Sequence, residues 1–189
     1  MIRIGILGDI GSGKSYVARN FGYPVFNADY EVSKLYKKDK KIFKKLKKKL
    51  PKYISSFPIN KNEITKAILA NKVNLKKIIT IVHLEIRKAL KLFLKKNRNK
   101  KVIILDIPLL LENKINNRND ILIYIDSKKV EIEKRLKKRL NFNRKLINKF
   151  KKIQLSSNHK RKKSNFIIKN NFRKESLNKS IKKILNEIL

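Results

Sequence analysis

Three short stretches of this chain carry residue types whose spacing can do chemistry. The octet Gly8-Asp-Ile-Gly-Ser-Gly-Lys-Ser15 fits the pattern G-x-x-x-x-G-K-[ST]. Gly8, Gly11 and Gly13 let the backbone fold around phosphate oxygens with its N–H groups pointing inward, and Ser12 lies among them. Lys14 can then neutralise β- and γ-phosphates, while the Ser15 hydroxyl can ligate Mg²⁺. A glycine-rich turn that merely joins two elements is the bland alternative, and it leaves the Lys-Ser pair unexplained. The second stretch, Asn27-Ala-Asp29, offers a carboxylate that could accept or orient the proton of an attacking hydroxyl, or could simply cap a helix. The third, Val102-Ile-Ile-Leu-Asp106, is a continuous apolar run that closes on an acid.

Such residues work only if the chain brings them to one place, and the order of elements provides for that. Ile2 to Leu7 reads as a short strand that stops at Gly8, and a helix starts near Lys14, which is the context the octet requires. Pro24 to Asn27 fits a second strand, followed by a charged helical stretch from Tyr30 to Leu50 that Pro51 breaks. From Glu63 to about Lys96, apolar residues recur every three or four positions, giving two amphipathic helices broken near Asn71 to Asn74. Val102 to Asp106 and Ile121 to Asp126 are continuous apolar runs closing on acids, as suits strands covered on both faces. Ser127 is the expected N-cap of a helix reaching about Leu140. A basic, mostly helical segment over Asn141 to Lys163 leads to a fifth strand at Phe166 to Ile168 and a last helix over Lys174 to Leu189. Strands alternating with helices predict an α/β fold, a parallel sheet of right-handed crossovers whose carboxyl edge brings Asp29 beside the loop.

Composition narrows the function classes. With 189 residues the chain is long enough for one globular unit with small subdomains. It has no cysteine, so disulfides, thiolate zinc sites and cysteine nucleophiles are excluded. Its apolar runs are too short to cross a bilayer, and the N-terminus lacks the cleavage-site pattern of a secretory signal, so a cytoplasmic protein with no membrane partner is expected. The 51 Lys+Arg against 14 Asp+Glu leave a net charge of +37, which raises a nucleic-acid reading. Lys, Ile and Asn, all with A/T-rich codons, make up 90 of the residues, and the lysines are spread over every solvated helix without an aromatic-lined stripe. Compositional drift onto solvated positions therefore accounts for the charge better than a dedicated nucleic-acid surface does. The chain length and the absence of a guanine-reading Asn-Lys-x-Asp motif favour a kinase of small molecules over a motor or a GTPase.

Taken together, the octet, Phe-Asn-Ala-Asp29, Ile-Leu-Asp106-Ile-Pro108-Leu-Leu-Leu-Glu112, Arg135 with Arg139, Gln154, and Phe-Ile-Ile-Lys-Asn170-Asn171 resemble the dephospho-coenzyme A kinase family along nearly the whole chain. The resemblance implies ATP- and Mg²⁺-dependent transfer of the γ-phosphoryl to the ribose 3′-hydroxyl of dephospho-coenzyme A. It also implies a P-loop kinase fold with a five-stranded parallel sheet flanked by helices, similar to nucleoside monophosphate kinases. The core would be 1–30, 98–137 and 164–189, with a helical substrate-binding insertion at 31–97 and a small helical lid at 138–163. Asp29, Lys14, Arg135 and Arg139 would be catalytic, the arginines bridging phosphoryl oxygens from one helix face. Gly8, Gly11, Ser12, Gly13, Lys14, Ser15, Tyr16 and Asn170 would hold the nucleotide, and Ser15 with Asp106 the metal. Asp29, His83, Arg87, Pro108, Leu109 and Glu112 would meet the substrate, with the chain acting as a monomer or weak homo-oligomer. Solvated helix surface is the competing account of the arginines, and a purely structural imidazole that of His83. His159, amid basic residues, reads as solvated.

Several positions depart from the family's pattern. Asp9 stands where a second glycine is usual, Asn27 where an acid is usual, Tyr16 where Thr is common, and Leu84 where proline follows the histidine. Leu140-Asn141 replaces Asp-Gly after the lid arginine, and Lys169 stands in place of an acid. The competing functions are another small-molecule P-loop kinase and a basic nucleic-acid-binding ATPase.

Overall fold

The computed structural model describes residues 1–140 and 142–189; Asn141, at the head of the expected basic segment and in the Leu140-Asn141 pair, lies outside the described residues. In chain order the elements are β1 (Ile2–Gly8), α1 (Lys14–Asn20), β2 (Val25–Asn27), α2 (Ala28–Lys38), α3 (Lys40–Lys49), α4 (Lys61–Ala70), α5 (Lys72–Lys96), β3 (Val102–Asp106), β4 (Ile121–Asp126), α6 (Lys129–Lys137), α7 (Arg144–Lys151), α8 (Ser157–Lys162), β5 (Phe166–Lys169) and α9 (Lys174–Ile188). Packing divides the chain into two units, one of 1–27, 97–143 and 150–189, the other of 28–96 and 144–149.

The first unit is built on a five-stranded sheet of order β2-β3-β1-β4-β5, and every neighbouring pair is parallel. β3 is buried at all five residues, as expected of an inner strand with helices on both faces. On one face Ile4, Ile6, Ile104 and Ile123 pack with Val17 of α1, Phe21 just after it, and Leu177 and Ile181 of α9. Each such side chain contributes about 1.5–3 kcal/mol by leaving water. Gly5 is the one small residue of β1's buried middle, because a Cβ there would lie 2.6 Å from Leu110 and 2.9 Å from Leu122.

The second unit is helical. Leu75, Ile78, Val82, Ile86 and Leu90 form the buried stripe of the long α5, and Ile42 and Leu46 that of α3. The single helix expected over 30–50 is two, because the Asp39 carboxylate accepts the Ile42 amide at 3.0 Å and starts a new helix. The expected break at 71–74 is confined to Asn71; Asn74 lies inside α5, buried, its amide donating to the Ala67 carbonyl at 3.0 Å. Lys149 of α7 donates to the Ile68 and Leu69 carbonyls at the end of α4, a cation placed where the helix leaves carbonyls unpaired.

Candidate active site

The parallel register brings the chemistry-bearing strand ends to one edge of the first unit. Gly8 is level with Ile125, Asn27 with Asp106, and Asp126 with Lys169. Between Gly8 and α1 the loop turns on left-handed glycines, φ being 148° at Gly8, 89° at Gly11 and 91° at Gly13. At Gly13 a side chain is also excluded by space, since a Cβ would stand 2.6 Å from the Asn170 amide nitrogen and 3.1 Å from the Phe172 ring.

Two side chains fasten the loop from outside. The Ser12 carbonyl accepts Asn170 Nδ2 and Ser127 Oγ, each at 2.9 Å. Asn170 is itself held, its backbone N–H donating to Asp126 and its Oδ1 accepting the Phe172 amide. Ser127 therefore does not cap α6 as expected: Lys128 is the N-cap residue, without a side-chain cap bond, and the serine hydroxyl faces the loop instead. The Lys14 ammonium lies inside the loop, donating to the Gly8 and Asp9 carbonyls at 3.0 and 2.8 Å. Gly13 is the N-cap of α1 and, having no side chain, makes no side-chain cap bond. The Ser12 hydroxyl is buried and makes no hydrogen bond among the described residues. Left-handed turns, a helix start without a side-chain cap, an orphaned hydroxyl and an inward lysine form a cradle suited to phosphate oxygens. The Tyr16 ring, by contrast, packs against the sheet core.

Asp106 is 2% exposed and accepts a hydrogen bond from the Asn27 side-chain amide on one carboxylate oxygen. Beyond it, Leu109 adopts a left-handed φ of 62°, a conformation that costs a residue with a Cβ about 1–2 kcal/mol. The turn so formed brings Pro108, Leu109 and Glu112 to a small cavity shared with Gly8, Lys14, Gln154 and Lys160. One Glu112 oxygen accepts the Leu155 amide at 2.9 Å, tying this turn to the segment before α8. Arg135 and Arg139 do not share a helix, because α6 ends at Lys137 and Arg139 follows its C-cap. The Arg135 guanidinium lies 4.2 Å from the Phe172 ring centre, a cation–π contact.

Three further candidates belong to the second unit. Asp29 is exposed on the first turn of α2, where a carboxylate also meets the positive end of the helix. His83, half-buried, and Arg87, exposed, lie one turn apart on α5. Burial, and secondarily the Arg87 charge, holds the His83 imidazole below its ordinary pKa, so it is neutral at neutral pH. Sequence reasoning missed Lys160 and misread Ser127. One lysine among 41 carries no local mark, and a serine before a helix is an ordinary cap signal.

A family model described as dephospho-CoA kinase matches residues 2–175. This chain belongs to the dephospho-CoA kinase family. It is an ATP-dependent kinase that phosphorylates dephospho-CoA to CoA. The dephospho-CoA kinase of Wolbachia pipientis wMel is 34% identical over 190 residues, 98% of this chain and 97% of its own. That of Rickettsia felis is 32% identical, with 98% and 96% covered. Among solved structures, TT1252 from Thermus thermophilus superposes with a TM-score of 0.77 at 25% identity, covering 100% of this chain and 98% of its own. The dephospho-CoA kinase from Campylobacter jejuni has the same fold, with a TM-score of 0.63 at 21% identity over 98% of this chain and 96% of its own.

Proposed function

We propose that the group phosphorylated is the ribose 3′-hydroxyl and that Asp29 is the base that receives its proton. The hydroxyl oxygen attacks the γ-phosphorus of ATP, the O–P bond forms as the bond to the β,γ-bridging oxygen breaks, ADP leaves, and the proton passes to the Asp29 carboxylate. The observation that carries this reading is the alignment of strand ends: Asn27, two residues before Asp29, is in register with Asp106 on the sheet that also ends in the phosphate cradle. Lys14 and the loop amides would hold the β- and γ-phosphates, and Arg135 with Arg139, at the boundary of a lid over 138–163, would meet developing charge. Pro108, Leu109 and Glu112, with His83 and Arg87 in the helical insertion at 31–97, would shape the acceptor site.

The donor set fits Mg²⁺. It offers two oxygen donors, the Ser15 hydroxyl and the Asp106 carboxylate, to an ion that is usually bound by few protein oxygens plus the substrate phosphates. When bound, Mg²⁺ neutralises charge on the β- and γ-phosphates. Asn27 holds the Asp106 carboxylate by donating to one of its oxygens, and a carboxylate so held would be available to a bound Mg²⁺. With this reading go a cytoplasmic site of action and a monomer or weak homo-oligomer; no helix among the described residues is long and apolar enough to cross a membrane.

The test is ADP release from ATP and Mg²⁺ with a panel of acceptors. Dephospho-CoA should turn over and nucleoside monophosphates should not. Asp29→Asn should lower kcat by roughly 10²- to 10⁴-fold, the span of a general base. Full kcat in that variant removes Asp29 from the role, and product phosphorylated at another hydroxyl refutes the 3′ assignment.

A further inference from the structure

The phosphate cradle contains an acidic residue that belongs to no part of the reaction described so far. Asp9 follows Gly8 directly, in a loop whose ligand is a polyanion, and a carboxylate at that point opposes the binding of ATP. The structure gives it two partners on α8. Ser157 Oγ lies 2.9 and 2.7 Å from its two oxygens, and Lys160 Nζ lies 3.2 Å from Oδ1. Lys160 is only 3% exposed, which is unusual for lysine, a residue almost never fully buried unless paired. A buried ammonium persists only when it is paired, and here the acid is its partner. Around the pair, Ser157 shares a hydrogen bond with the Tyr124 phenol, and Arg161 reaches Asp126 at 3.5 Å. Lys160 also lines the small cavity beside Gly8 and Lys14, so its charge acts at the cradle itself.

We infer that Lys160 is a positioning residue, the built-in counter-ion of Asp9, which with Ser157 cancels and turns aside a carboxylate that would otherwise repel the triphosphate. Lys160 touches no substrate in this role. It acts through Asp9, and it couples α8 to the first turn of the loop. The inference rests on the reading that this loop holds ATP.

The experiment measures ATP affinity and steady-state kinetics for the wild-type chain and for Lys160→Met, Asp9→Asn and the double variant. Lys160→Met should raise the KM and Kd for ATP by about tenfold with little change in kcat, because it leaves a full negative charge beside the phosphates. Adding Asp9→Asn should bring both constants back to within about threefold of wild type, since the charge to be cancelled is gone. A ligand of the phosphates would behave otherwise: if the double variant stays as weak as Lys160→Met, the lysine grips the nucleotide directly and the inference is overturned. Unchanged ATP affinity in Lys160→Met, or a loss confined to kcat, overturns it as well. Should Lys160→Met fail to fold, Asp9→Asn alone decides, with tighter ATP binding expected and equal or weaker binding refuting the counter-ion role. A wild-type chain that binds no ATP would sink the loop reading itself, whereas wild-type binding with uncoupled variants sinks only the inference.

Discussion

Gly13 shows how much one missing side chain carries. Its φ of 91° and the 2.6 Å approach of Asn170 both exclude a Cβ, so Gly13→Ala must displace the residue that holds the Ser12 carbonyl. The expected cost is about 1–3 kcal/mol of stability with a larger loss of ATP affinity, read by denaturant unfolding and nucleotide titration. His83 gives a prediction of opposite kind. Its folded pKa lies below the ordinary 6.5, so the unfolded chain binds the proton more readily. Stability from this group is then complete above 6.5 and is lost as pH falls from there toward the folded value. His83→Gln should flatten that part of a melting-temperature against pH profile, and an unchanged slope would show that other groups set it.

Among the elements, two caps of similar sequence have different duties. Asp39 closes α2 from α3 by accepting the Ile42 amide, so Asp39→Ala should destabilise the fold by about 1 kcal/mol and leave ATP binding alone. Ser127 stands before α6 in the same way, yet its hydroxyl donates to the Ser12 carbonyl. Ser127→Ala should therefore raise the KM for ATP a few-fold while the unfolding midpoint barely moves, and the reverse pattern would return the serine to a capping role. A cap signal in a sequence names a side chain that wants a backbone partner. Only the packing of β4 beside β1 decides that the partner lies on the phosphate loop rather than on the helix that follows.

For the whole molecule the dominant quantity is the +37 charge. Like charges spread over the surface repel one another in the folded state, so the melting temperature should rise with monovalent salt until the Debye length falls to about 8 Å near physiological ionic strength. The same salt should weaken ATP and dephospho-CoA binding, because both are anions drawn by that field. A melting temperature that falls with salt would mean that specific ion pairs, such as Arg3 with Asp120, outweigh the repulsion.

The strand-loop-helix order, the octet and the two continuous apolar runs of β3 and β4 were legible because each depends on neighbours in sequence: glycines permit the turn, and continuous apolar stretches demand cover on both faces. The order of the strands follows from alternating β and α elements only as a class, and the interleaving β2-β3-β1-β4-β5 came from tertiary packing. The same is true of the residues that serve the cradle from afar. Asn170 meets Ser12 across 158 positions, Ser127 meets it across 115, and Lys160 meets Asp9 across 151. Local spacing writes a motif into a sequence, but a hydrogen bond between distant segments depends on how the strands are ordered and which side chains the core leaves buried. For that reason the phosphate cradle was evident from eight consecutive residues, whereas the partner of its one acidic member emerged only when α8 was folded against it.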